Sequence, residues 1–497
     1  MTERPSPGLR PPSPAEAGEG YQRPSPATRE KAPEGRMRAC HVSRRDFVAS
    51  TLRAGAGLAL ASCVSWRSSD PWSRLPDILA RIVPPRFPQR EFVTTAYPTI
   101  QQAIEACAGA GGGRVVVPAG DHPTDPLRLR SRVELHLQKG ATLRFPQDPS
   151  RYPLVLTRFE GVELMNYSPL VYAFECEDVA ITGEGTLDGQ ADEQHWWPWK
   201  GVTSGRRDDV IRNQEPPAPQ IADRDALNKQ GQSGVPVAQR IFGPGHYLRP
   251  SFIEPYRCKN VLIEGVTIVN APMWVIHPTL STNVTVRGMT VRSTGPNNDG
   301  CDPESCRGVL IEDCVFETGD DCIALKSGRN ADGRRVNVPV EDVVIRRCRM
   351  GAGHGGITIG SEVSGGARNV YAENCTLDSQ TLERGLRLKT NSARGGFIEN
   401  VFVRDIEIGN VKLAPIEIDL RYQPPESGPY QPVVKNIHIN RMHSAHSQYG
   451  LYVRGLDDAP VTGVVIRDST FRGVENGHLI EGAVDIELHN VTVEKKS

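Results

Sequence analysis

An eight-residue segment recurs nine times between Val261 and Val493, and this repetition constrains the fold more than any other feature. The copies begin at Val261, Val284, Val309, Val343, Val370, Val401, Ile437, Val464 and Ile486, so successive starts lie 22 to 36 residues apart. The third position is Ile263, Val286, Ile311, Ile345, Ala372, Val403, Ile439, Ile466 or Leu488, the sixth runs from Val266 to Val491, and the eighth is mostly apolar. Side chains of a strand alternate with period two, so positions one and three face the same side. Polar or glycine residues at positions four and five, such as Glu264-Gly265, mark a bend, after which positions six and eight face inward again. One such pair cannot enclose a core, but stacked copies can. The spacing predicts an all-β fold, a right-handed single-stranded parallel β-helix, with equivalent positions about 4.8 Å apart along its axis. Cys314, Cys348 and Cys375 share position six, where other copies carry Met289, Ile406 or Val491. A metal site is therefore rejected, and these thiols are expected to stack as small buried apolar groups.

Upstream, Arg114–Val117, Val133–Leu137 and Val179–Ile181 read as further short strands ended by glycine turns. Thr99–Ala108 is the one good amphipathic helix, with Ile100, Ala103, Ile104 and Cys107 on one face. It is expected to cap the N-terminal end of the solenoid, which would otherwise expose apolar side chains and strand edges. Residues 91–497 form the β-helix domain in this reading. Residues 63–90 read as a linker, and 191–250, polar and rich in Pro and Gly, as one long loop excursion near the cleft.

The first 62 residues read as an address. Residues 1–36 are rich in Pro, Glu, Arg and Ser and lack apolar periodicity, so disorder is expected. Ser43-Arg44-Arg45-Asp46-Phe47 precedes a short apolar run interrupted by Arg53, which reads as a twin-arginine export signal and is too short to span a bilayer. Met37 is an alternative start. The run ends in Leu60-Ala61-Ser62-Cys63, which resembles a bacterial lipobox and implies lipidation of Cys63. The alternative is cleavage elsewhere and a secreted, soluble product. With lipidation, the chain is a periplasmic or cell-envelope lipoprotein that touches membrane only through its anchor. The 58 basic and 59 acidic residues nearly cancel, which gives no support to a nucleic-acid partner. A monomer is expected.

Four clusters in successive copies carry chemistry: Asn297-Asn298-Asp299-Gly300-Cys301-Asp302, Gly319-Asp320-Asp321-Cys322, Gly353-His354-Gly355-Gly356 and Arg387-Leu388-Lys389. Asp320 and His354 each lie 11 residues after the start of their copy, so they should stack; Asp299 and Lys389 are out of register by a few residues. Carboxylates crowded on one face repel, and one is pushed to a raised pKa. That is the state a general acid needs while its neighbour stays ionised as base. Glycoside hydrolysis needs both roles across one bond.

These four clusters, in this order, resemble the motifs of the family 28 glycoside hydrolases, the polygalacturonases. The likeness covers roughly residues 90–490 and is nearest to bacterial exo-acting members, through Asn298–Ser305 and Leu325-Lys326-Ser327-Gly328-Arg329. The resemblance implies Asp320 as general acid, Asp299 and Asp321 as the pair that holds and deprotonates the attacking water, and His354 as the residue that orients the set. It implies Arg387 and Lys389 as the grip on the galacturonyl carboxylate, an inverting single displacement on a pectic polysaccharide or oligogalacturonides, and no metal or cofactor. Departures are mild: Asn298 stands where Thr is usual, Leu388 where Ile is usual, and Gly356-Ile357-Thr358 lacks a common Ser. Phe92–Ala96 lacks an Asp/Gly-rich loop, which bears on the cap.

Weaker signals concern the walls. Trp196, Trp197 and Trp199, in one patch with Lys200, could stack on sugar rings as a wall of the cleft, with Trp197 the candidate contact, or could anchor their own loop. Lys326 and Arg329 are candidate cationic subsites, and Tyr422 is a candidate sugar contact. Trp274 and His277 read as packing. Three other readings remain open: calcium-dependent elimination with Arg387 or Lys389 as base, hydrolysis of rhamnogalacturonan, and a β-helix that binds carbohydrate without cutting it.

Overall fold

The computed structural model describes residues 70–201, 218–423 and 428–496. The repeat register is realised pairing by pairing. Val261, Val284, Val309, Val343, Val370, Val401, Ile437, Val464 and Ile486 form one column of parallel partners. Parallel strands in one sheet require crossover connections, which are almost always right-handed. Here each crossover is a further side of the coil, giving the right-handed parallel β-helix. Positions one and three are buried along most of the column and pack into one continuous core. Each fully buried Val, Ile or Leu contributes about 1.5–3 kcal/mol relative to exposure.

The bend at position five has a backbone cause. Gly265, Gly288, Asp313, Arg347, Asn374, Asp405, Arg441, Asp468 and Asn490 all take positive φ, between 48° and 80°. The residue before position one does the same in every copy, from Asn260 to Asp485. Asn and Asp visit this region most cheaply after Gly. Several of these side chains also bond along the axis, as in the ladder Asn436 to Asn400 to Asn369 to Asp342. Cys314, Cys348 and Cys375 are buried and unpaired, as are the other six described cysteines.

Helix α1 spans Leu75–Arg81 and α2 spans Ile100–Gly109. In α2, Thr99 caps the first turn by accepting from the Gln102 amide, and Ile100, Ala103, Ile104 and Cys107 close the N-terminal end of the core. The described part of the expected linker is not extended chain. Leu75, Ile78 and Ile82 pack on Leu310, Val344, Tyr371 and Phe402, while Trp72 stacks under Arg404 at 3.8 Å. The reason is the outward apolar patch on these coils, which repetition alone does not reveal. The 191–250 excursion also differs from a single loop. Its described residues include α3, Pro219–Gln232, and the short strand Ile241–Phe242 paired with the hairpin Leu154–Phe159/Val162–Tyr167. Leu227 of α3 packs with Phe159, Val162, Leu164, Phe242 and Trp274, which pins the helix to the side of the solenoid. Helix α4, Asn330–Val336, lies beside it, and Arg240 ties α4 to the hairpin by donating to Asp332 at 2.8 Å and to the Glu163 carbonyl at 2.9 Å. The twin-arginine motif and Cys63 lie outside the described residues.

Candidate active site

A second column of inward residues, Ile276, Cys301, Ile323, Ile357, Leu386 and Ile416, runs under a cleft of about 390 Å³. Counted back from this column, Asp299 and Asp321 occupy the same step, two residues before Cys301 and Ile323. Asp320 and His354 share the step before that. Asp299 therefore stacks on Asp321 rather than Asp320. Its apparent shift from the start of the copy comes from extra turn residues at 294–297. Arg387 and Lys389 alternate with the inward Leu386 and Leu388 on one strand, so both point away from the core and reach Asp321.

Each turn is fixed by its own chemistry. Asn298 accepts from Ser293 Oγ at 2.6 Å and the Gly295 amide at 3.0 Å, and it donates to the Ala271 and Met273 carbonyls. A fully used amide locks the turn that aims Asp299, a role the sequence showed only as a departure from Thr. The glycines around His354 permit close approach. A Cβ on Gly355 would stand 2.8 Å from Asp321 Oδ1 and 2.4 Å from Thr358 Oγ1, and one on Gly353 would meet the Asp320 carbonyl at 2.1 Å.

One oxygen from each of Asp299, Asp320 and Asp321 falls within a common 4.8 Å. The cations explain how the three coexist. Asp321, wholly buried, accepts from Lys389 Nζ at 2.7 Å and Arg387 Nη1 at 3.1 Å. Asp320 accepts from His354 Nδ1 at 3.0 Å. Asp299 lies 3.5 Å from Lys326 Nζ. A divalent cation would have to displace these partners from the carboxylates.

The carboxyl groups separate in protonation. Burial, the charge of Asp320 and then Asp321 push Asp299 up to about 8, against the opposing pull of Lys326. Burial raises Asp320 too, but His354, Lys389 and Arg387 override it and hold Asp320 well below the usual carboxylate range. Asp321 is likewise held low, its burial outweighed by Lys389 and Arg387. Asp320 raises His354 to about 9. Of the catalytic trio, the carboxyl driven toward its protonated form in the free protein is therefore Asp299 and not Asp320, because His354 stays cationic beside Asp320. Asp302, buried 3.6 Å from Lys326 Nζ, is pushed well above its normal range by burial and by Asp299.

The other expected residues divide. Lys326, Arg329, Lys389 and Tyr422 line the cleft with Asp299, Asp320 and His354. Lys326 is also buried among Asp299, Asp302 and Glu362, 4.4 Å over the Trp274 ring. Trp274 therefore lines the cleft, beyond the packing role read from sequence. Arg387 lies beneath the floor, bonded to Asp321 and to Glu417 at 3.2 Å. Trp197 does not reach the cleft: its ring is buried in the core and its Nε1 donates to the Ala271 carbonyl at 2.9 Å. Its loop-anchoring alternative is the one observed, because that bond and burial use the whole side chain. Lys200, read together with the tryptophans of its loop, does line the cleft, whereas sequence reasoning missed Glu160, Glu362 and the α3 residues Gln220, Ile221, Arg224, Asp225 and Asn228, which line it too. They come from segments without repeat phase, so periodicity carried no signal for them; Glu362, eight residues after His354, was the one within reach.

A model of glycosyl hydrolases family 28 matches residues 220–476. A probable polygalacturonase of Vitis vinifera is 29% identical over 394 residues, covering 76% of this chain and 70% of that one. An exo-poly-alpha-D-galacturonosidase of Dickeya chrysanthemi is 27% identical over 339 residues, covering 65% of this chain and 54% of its own length. Among solved structures, an exopolygalacturonase from Thermotoga maritima superposes with a TM-score of 0.81 at 45% identity, covering 85% of this chain and 96% of that one.

Proposed function

The chain belongs to glycosyl hydrolase family 28, and from that premise we propose that it hydrolyses α-1,4-galacturonosidic bonds of polygalacturonate, taking units from a chain end. The observation that carries the reading is the stacking of Asp299, Asp320 and Asp321 with His354 and Lys389 on one wall of one cleft. Asp320 has the most exposed carboxyl of the three, at 16% against 4% for Asp299 and 0% for Asp321. It is the one placed to reach a leaving oxygen. The proton it delivers comes from the small pool held by Asp299 and His354, and Asp299, once ionised, takes the proton of the attacking water. Asp321 is tied to two cations, which makes it a poor nucleophile and favours attack by water with inversion. Lys389 and Lys326 offer positive charge to uronate carboxylates; Arg387 acts from below by holding Asp321.

End-on action is supported by the hairpin 154–167, α3 and the N-terminal side of α4, whose residues Glu160, Asn228 and Arg329 crowd the cleft. Incubation with polygalacturonate, oligogalacturonides and rhamnogalacturonan, followed by product identification, tests the reading. The expected outcome is slow viscosity loss with one short product from the first two. An early steep viscosity drop refutes end-on action, and exclusive cutting of rhamnogalacturonan refutes the substrate. We also propose export by the twin-arginine route with a lipid on Cys63; labelled palmitate should enter the wild type and not Cys63→Ser.

A further inference from the structure

Glu160 and Glu362 are cleft carboxylates that the chemistry does not use, and they share Arg329. Starting from Asp299, Lys326 Nζ bridges to Glu362 at 3.5 Å, and Arg329 Nη1 reaches Glu362 at 3.8 Å and Glu160 at 2.7 Å. Ions therefore alternate outward from the catalytic trio to Glu160, beside which Arg224 and Lys200 add further positive charge. Glu160 is placed there by an unusual piece of chain. It sits at positive φ (45°) in the turn of the antiparallel hairpin, and the Gly161 carbonyl accepts from the Arg329 amide at 2.9 Å. A Cβ on Gly161 would approach that amide nitrogen to 2.8 Å, so glycine is needed for the tip to seat. Arg329, Arg224 and Lys200 outweigh burial and keep Glu160 ionised. Its Oε2 is bonded to Arg329, and no hydrogen bond to Oε1 exists among the described residues.

An ionised carboxylate can only accept, and the ionised carboxylates of a uronate chain have no proton to give it. A substrate hydroxyl has one, and a hydrogen bond to a charged acceptor is strong. An internal galacturonate unit offers only an ether oxygen at O4, which cannot donate. A non-reducing terminal unit offers O4–H, across the ring from the C1 bond that is cut, and in one fixed configuration. A reducing-end hydroxyl interconverts between two configurations and suits a rigid acceptor poorly. We propose that Glu160, held by Arg329, recognises the O4 hydroxyl of the substrate's non-reducing end and thereby selects chain termini. This rests on the end-on reading above.

The experiment compares trigalacturonate with the trimer carrying a 4,5-unsaturated non-reducing unit, which lacks the O4 hydroxyl. Both are assayed for kcat/KM with wild type, Glu160→Ala and Glu160→Gln. The wild type should prefer the saturated trimer at least tenfold. Glu160→Ala should lose about 10- to 100-fold on the saturated trimer alone, the usual worth of a hydrogen bond to a charged group, and its preference should fall toward one. Glu160→Gln keeps the shape and a weaker acceptor, so its preference should fall between; it serves if the alanine variant fails to fold. Ring flattening in the unsaturated unit is common to all three proteins and cancels in the comparison. A variant that keeps the wild-type preference overturns the role of Glu160 while leaving end-on action intact. Wild-type cutting of longer oligomers at internal bonds overturns the end-on reading itself.

Discussion

Replacing Lys389 with Met removes the closest counter-ion of Asp321, a carboxylate with no exposed side-chain surface. At 2.7 Å and an effective dielectric constant of about 20, the attraction is about 6 kcal/mol. Repulsion between Lys389 and Arg387 offsets part of it, and Arg387 remains 3.1 Å from Asp321 in the variant. The net destabilisation should be about 3–5 kcal/mol, the usual cost of breaking a buried pair. The sign against pH follows from the depressed pKa of Asp321. The pair's contribution is complete above the unfolded value of about 3.9 and is lost as pH falls through the lower folded value. Urea unfolding at pH 7 should therefore show the full deficit, which shrinks in acid. The double variant Lys389→Met/Asp321→Asn removes the stranded charge and should recover most of the stability while remaining inactive. If the double variant is no more stable than Lys389→Met, the ion pair is not what holds this floor together.

Three further outcomes follow from the same geometry. Activity should fall as pH rises through about 8 to 9, where Asp299 and then His354 lose their protons; His354→Ala should lower kcat and displace that alkaline limb, and an unmoved limb would remove His354 from the titrating set. Trp197→Ala should cost about 3–5 kcal/mol of stability, as for large buried aromatic truncations, with KM for oligogalacturonides unchanged when the assay is run well below the unfolding transition. Chelation by EDTA should leave activity intact, because Lys389, Arg387, Lys326 and His354 already occupy the carboxylates; loss of activity restored by Ca²⁺ would bring back the elimination reading.

The fold was legible because its signal is periodic. Positions one, three, six and eight repeat, and the paired register from Val261 to Ile486 follows them coil by coil. The Asn, Asp and Gly residues at the two positive-φ bends were also visible in the sequence, as a turn signal at fixed phase. Asp320 and His354 could be stacked from their equal offsets. Asp299 could not, since turn length changes the count on the near side while the inward column beyond the turn stays in register. What sequence could not supply was the protonation pattern and the walls. The low pKa of Asp320 depends on a histidine 34 residues away turning its Nδ1 toward it. Glu160 enters the cleft on an antiparallel hairpin that no repeat predicts, and Trp197, though in the right segment, found a carbonyl partner inside the core.

The reaction itself is tested most directly by following the anomeric configuration of newly released galacturonate by proton NMR, with Asp320→Asn as control. The arrangement of Asp321 between Lys389 and Arg387 predicts that the β-anomer appears first from the α-linked substrate, with hydrolysis at least a hundredfold slower in the variant. The α-anomer appearing first, or an unsaturated uronate as the product, would contradict a single displacement by water.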